Sequence, residues 1–192
     1  MSVAGIPERH PLRSLFLLLV EQAFIERLCW EDRYVCGYLA NLMAEFAHTD
    51  HLYPFREPSG KPMDRVCEML AEGDVALGAV SFEREREVHK YIGDYILFMT
   101  GLFPEYLKRL KLARMILSPD YLLDYVKTGK RSYRIVSEFD YGPYKGSTPL
   151  YRKLSENFEV CIAGLGSVRK EIDRMKLRKR RHFPPPLGHS SH

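Results

Sequence analysis

Disulfide and zinc chemistry have little to work with in this sequence. Its four cysteines, at 29, 36, 67 and 161, form no Cys-x-x-Cys pair and no zinc-like spacing with histidine. All four fall in apolar helical patterns, where they read as small buried hydrophobes in a reducing cytosol. Long hydrophobic runs are also lacking. The stretch LFLLLV at 15–20 is closed off by Arg13 and Glu21. It is too short to span a bilayer, and no small-residue cleavage site follows it. No membrane span is implied, and a cytoplasmic location is expected. The strict polar–apolar alternation that marks half-buried strands is not sustained anywhere. Nucleophile and nucleotide motifs are missing too. There is no Gly-x-Ser-x-Gly and no phosphate loop, and Gly164-Leu165-Gly166-Ser167 lacks the preceding strand and third glycine of a dinucleotide loop. No cofactor is implied.

The charge is present but unevenly placed. The net charge of +4 comes from one end, because residues 169–182 hold eight Lys or Arg against two acids. Without them the remaining body carries 21 basic and 23 acidic residues. A nucleic-acid binder that uses its whole surface would look different, and no reading motif accompanies the basic segment. Lys176, Arg178, Lys179, Arg180 and Arg181 are the candidate polyanion contacts. The alternative for them is a solvated helix end with cations near its C-terminus.

The dominant period is helical. A first helix is expected over 12–29 and a second from Glu31 to His48 or beyond; the alternative is one long helix bent near Trp30, with the place of the break left open. Prolines and a glycine make 53–62 a loop. A short helix over 63–72 ends at Gly73. Ser81 resembles an N-cap, with Glu83 and Glu85 in the first turn, and opens a helix to about Leu102. Pro104, Pro119 and Pro149 each suit the first turn of a further helix. The last of these is expected to run from Thr148 to about Met175. The reading is an all-α fold: a compact bundle of six or seven helices around a buried central helix at about 81–102. Residues 1–177 form a single helical domain, and 178–192 a disordered basic, Pro-rich tail.

The central helix holds a puzzle. In VHKYIGDYILFMTGLFPEYL (88–107) a glycine and a carboxylate, Gly93 and Asp94, interrupt a segment that is apolar on nearly all sides. A helix of that kind belongs in the interior. Glycine costs about 1 kcal/mol there relative to alanine, so close approach of a second helix is expected, with Gly129 on the opposing surface. A buried carboxylate must be paired, hydrogen-bonded or protonated. The expected partners lie in 121–134: Tyr125, Arg131, Tyr133 or Arg134. With Asp94 and Tyr95 they make a buried polar network that locks two helices together, and the working surface is expected around Asp94 and Gly129–Tyr133.

The segments GDYILFMTGLFPEYL, DYVKTGKRSYR and PLYRKLSENFEVCIAGL resemble a group of uncharacterised bacterial helical proteins. Their pattern is Gly-Asp-Tyr-x-Leu-Phe-x-x-Gly-x-Phe-Pro-Glu followed by Asp-Tyr-x-x-x-Gly-x-x-x-Tyr. The likeness covers about 88–165. It implies a bacterial source and an all-helical fold, and it brings no activity and no catalytic residue.

Two histidine pairs offer metal chemistry. Glu45 and His48 lie three apart on one helix face, as in di-iron bundles, and Glu85 and His89 lie one turn apart. A di-iron site needs a second Glu-x-x-His and two further inward glutamates, and that second motif is missing. The EREREVHK segment also reads as a solvated charged face. The functional expectation is an interaction or regulatory module with a protein partner, its identity and the oligomeric state left open. A carboxylate-bundle metalloenzyme and a polyanion binder are the alternatives.

Overall fold

The chain is described from a computed structural model over residues 10–47, 81–105 and 121–182. The expected short helix at 63–72, the loop before it and His48 lie outside these residues. Six α-helices are present and no strand is found among the described residues. They are α1 (Pro11–Gln22), α2 (Arg33–Phe46), α3 (Phe82–Leu102), α4 (Tyr121–Val136), α5 (Thr148–Glu156) and α6 (Phe158–His182). No helix among the described residues is long and apolar enough to cross a membrane.

Local chemistry sets most of the helix starts. Ser81 Oγ accepts from Arg84 N at 3.2 Å, capping α3 as its sequence suggests. Asp32 caps α2 through Tyr34 N and Val35 N at 3.1 and 3.2 Å. Pro11 and Pro149 occupy first turns, where their missing N–H costs nothing.

Between α1 and α2 the chain tightens its course by a different route. Residues Ala23–Arg27 form a π-helical turn, and Cys29 adopts φ 50°, the left-handed region, before Trp30 N donates to Phe24 O at 3.1 Å. The sequence gives no glycine at this turn, so the break could not be placed from it. Cys29 is exposed, unlike the buried Cys36 and Cys161. Its expected burial is corrected by the turn that carries it out of the helix.

The long helix expected from Thr148 is two helices. Asn157 ends α5 with non-helical backbone, its N–H and its side-chain amide both donating to Lys153 O. This break turns Phe158 into the core, where it is fully buried. α6 then continues to His182, past the expected end near Met175.

α3 forms the centre. From Val88 to Leu102 every residue except Lys90 is buried. It packs chiefly on α4 and α6, with α2 closing a further side, while α1 lies along α2. Glycines set the closest approaches. A Cβ on Gly93 would lie 2.6 Å from the Tyr133 ring, and Gly129 lies against Ile96 of α3 and Phe158 of α6. Gly101 likewise admits Leu165. At the C-terminal end of α3, Arg169 of α6 donates to Leu102 O, pairs with Glu105 at 2.7 Å and lies over the Phe103 ring.

Candidate functional site: a buried tyrosine–carboxylate cluster and an acidic aromatic groove

Two features stand out, one inside the bundle and one on its surface. The first is built on α3, whose residues Arg86, Lys90 and Asp94 recur at one-turn intervals and so share a face. Asp94 is 3 % exposed. Its Oδ1 accepts from the Tyr133 hydroxyl at 2.7 Å and from the Tyr38 hydroxyl at 2.5 Å. Its Oδ2 accepts from Lys90 Nζ at 2.6 Å. Tyr151 completes a triangle of rings, with centroids 5.6 Å from Tyr38 and 5.9 Å from Tyr133. Three elements therefore meet at one carboxylate, α2 through Tyr38, α3 itself and α4 through Tyr133, and α5 packs Tyr151 on the two phenol rings.

The electrostatics follow from burial. Desolvation first, and then the Asp94 carboxylate, push the Tyr38 and Tyr133 phenols well above their ordinary range. Burial alone would pull the Lys90 ammonium down, but Asp94 more than reverses this and holds it above its usual value. Both phenols are thus held as hydrogen-bond donors. One turn earlier, the Arg86 guanidinium is buried over the Tyr144 ring at 3.9 Å and donates to Ser147 Oγ at 3.2 Å. His89 is also buried, with Nδ1 3.3 Å from Ser132 Oγ.

The arginines expected beside Asp94 are elsewhere. Arg131 and Arg134 are exposed, and Arg134 pairs loosely with Glu138 at 3.9 Å. The cation comes from Lys90, one turn back on α3 itself, because an arginine on the outer face of α4 cannot reach through that helix. Tyr125 and Tyr95 are buried core residues, and Tyr95 stacks on Tyr91 with centroids 6.0 Å apart. Tyr38, Lys90 and Tyr151 were missed by the sequence reading. The Lys90–Asp94 spacing of four was an available signal; nothing in the sequence points to Tyr38 or Tyr151. The surface expected around Asp94 is closed, since Tyr133 is fully buried and Gly129 is buried as well.

Of the two histidine pairs only Glu45, Glu85 and His89 are described, and His48 lies outside the described residues. Glu45 lies on α2 and pairs with Arg13 at 3.6 Å. Glu85 lies near the start of α3, and His89 is turned inward to Ser132. No group of three His, Cys, Asp or Glu side chains converges among the described residues.

The second feature is a surface groove of about 430 Å³ between the first turns of α3 and the end of α4. Phe82, Ile135, Phe139 and Tyr141 line it, with Glu85 and Glu138 among them. Phe82 and Tyr141 are 65 % and 44 % exposed. Glu83 stands in the same first turn of α3. Helix α3 thus begins with an apolar ring next to carboxylates, the arrangement its N-terminal macrodipole favours electrostatically.

No family model matches the chain, and neither a curated protein nor a solved structure matches it.

Proposed function

We propose that this protein is a helical interaction module of the cytoplasm that docks a basic amphipathic helix in the groove beside Phe82 and Tyr141. The observation that carries the reading is the exposure of two large aromatic side chains beside the carboxylates of Glu85 and Glu138. Contiguous apolar surface rimmed by charge is how helix-in-groove recognition is built: the apolar side chains supply affinity and the rim selects sign. The Asp94 cluster has a supporting role in this reading. With three donors on its carboxylate it pins α2, α3 and α4 together, and so holds the groove walls on α3 and α4 at fixed separation. The cytoplasmic assignment is supported by Cys36 and Cys161, which are buried as free thiols.

Titration of the purified protein with labelled basic amphipathic helical peptides, against acidic peptides of matched hydrophobicity, tests this. Saturable binding of the basic set is expected, weakened roughly tenfold or more in Phe82→Gln/Tyr141→Ser. Equal binding of both sets, or no effect of the double substitution, would remove the groove from consideration.

A further inference from the structure

The two ends of this molecule differ in a way that suggests what fills the groove. α6 runs alongside α3 in the same direction. Gly129 is wedged between Ile96 and Phe158, Gly101 lies against Leu165, and Arg169 reaches Leu102 and Glu105. Beyond that clamp every residue of α6 from Asp173 to Arg178 is exposed. Two of these are apolar, Met175 at 42 % and Leu177 at 58 % exposure. Around and after them the sequence places Arg174, Lys176, Arg178, Lys179, Arg180 and Arg181, with helical backbone through His182. The stretch 173–182 is about 15 Å of helix. An isolated helix of that length is marginal in water and gains from docking.

The groove lies at the opposite pole. Phe82 starts α3, and the Arg169 clamp grips its far end, which puts about 30 Å between them. α6 holds no proline between Phe158 and His182 that would let it fold back. A chain's own basic end therefore does not reach its own groove, whereas that of a neighbour stacked end to end does.

We infer that the groove receives the basic C-terminal end of α6 from a second copy of this chain, with Leu177 against Phe82 and Tyr141 and Arg174, which shares its helix face, toward Glu85 and Glu138, while Met175, two residues from Leu177, faces the other way. This rests on the docking role proposed for the groove and names its occupant. Of the acids facing the incoming helix, Glu138 has a partner that yields easily, since it pairs with Arg134 at 3.9 Å on exposed surface. The contact joins two different surfaces of the same molecule. It is heterologous, and it propagates as a head-to-tail array unless the rotation closes a ring.

Sedimentation of the full chain, treated with nuclease, is the test. Wild type is expected to grow in average mass with concentration and to fall back in high salt. Phe82→Gln/Tyr141→Ser spoils the groove and leaves the tail; Met175→Ser/Leu177→Ser spoils the tail and leaves the groove. All four positions are exposed, and an unchanged thermal midpoint checks that each variant folds. Each variant alone is expected to be monomeric, and an equimolar mixture to form a dimer, because one intact groove then meets one intact tail. A monomeric wild type, or a mixture that stays monomeric, would overturn the inference. So would a monomeric chain that retains duplex DNA through 176–181. The groove's peptide binding is measured separately, so loss of self-association with peptide binding intact removes only the second copy, and loss of both removes the docking role as well.

Discussion

Tyr133 meets two adjacent residues of α3 at once: its ring fills the space where a Cβ on Gly93 would stand, and its hydroxyl donates to Asp94 Oδ1 at 2.7 Å. The weakest helix former and the only carboxylate in the buried stretch thus serve a single contact. Without a side chain at 93, the ring lies close to the α3 backbone, and from there its hydroxyl reaches Asp94.

Gly93→Ala should therefore destabilise the fold despite alanine's better helix propensity. The added methyl meets the ring at 2.6 Å, and the ring is held by its hydrogen bond and by packing on Tyr151 and Phe158. Overpacking costs of about 1–3 kcal/mol exceed the roughly 1 kcal/mol that propensity returns. Chemical denaturation should show a lower midpoint; an unchanged or higher one would mean that the ring yields freely.

Asp94→Asn should cost about 1–3 kcal/mol, since the amide oxygen still accepts from both phenols but without the negative charge, and the amide nitrogen replaces the oxygen that accepts from Lys90. Tyr133→Phe should cost about 1 kcal/mol. In a double-mutant cycle the two should couple by more than about 0.5 kcal/mol, as neighbours in one network do. Additive effects would show that Tyr133 gains nothing from the charge on Asp94. Lys90→Met should cost at least as much, because it leaves the Asp94 carboxylate, 3 % exposed, without its cation.

Alkaline pH should weaken the fold. Burial first of all pushes the Cys36 thiol up to about 11 and the Cys161 thiol up to about 12, and Tyr38, Tyr133 and Lys90 are raised as well. Each of these groups keeps its proton to higher pH in the folded chain than in the unfolded one. Their contribution is complete below the unfolded values, about 8.5 for thiols and about 10 for phenols and ammonium, and is lost as pH climbs toward the folded ones. Each titrating group should remove about 1.4 kcal/mol per pH unit. Denaturation midpoints measured between pH 8 and 11 should fall, and fall less steeply in Tyr133→Phe. A flat profile would contradict this burial.

Cys29 should be the reactive thiol among the described cysteines. It is exposed, while Cys36 and Cys161 are buried. Peptide mapping after brief alkylation of the folded protein should find Cys29 modified and the other two protected until denaturant is added. Cys29→Gly should stabilise the fold by up to about 1 kcal/mol, since glycine adopts the left-handed backbone at φ 50° without penalty.

Much of the scaffold was readable along the chain. The interior helix is visible in the apolar residues around Asp94, its start in Ser81 with Glu83 and Glu85, and its neighbour in Gly129. These are local signals: period, caps, and a glycine where a side chain is not tolerated. The breaks at Cys29 and Asn157 were not readable, because a π-helical turn with Cys29 in left-handed backbone, and a non-helical Asn157, carry no composition of their own here. Nor was the partner set of Asp94. Helical spacing says which residues share a face with Lys90 or Tyr38, but not which faces turn toward one another.

The sequence by itself therefore determined that this is an all-α chain, that α3 lies inside it, and that Asp94 needs donors. Only the tertiary structure decided that those donors are Tyr38, Tyr133 and Lys90, that the arginines of α4 point outward, and that Phe82 and Tyr141 stand exposed together at one pole. The reason is physical. Burial and helix caps are set by neighbours a few residues apart, whereas partners and grooves are set by how rigid helices cross, and that depends on the packing of the bundle as a whole.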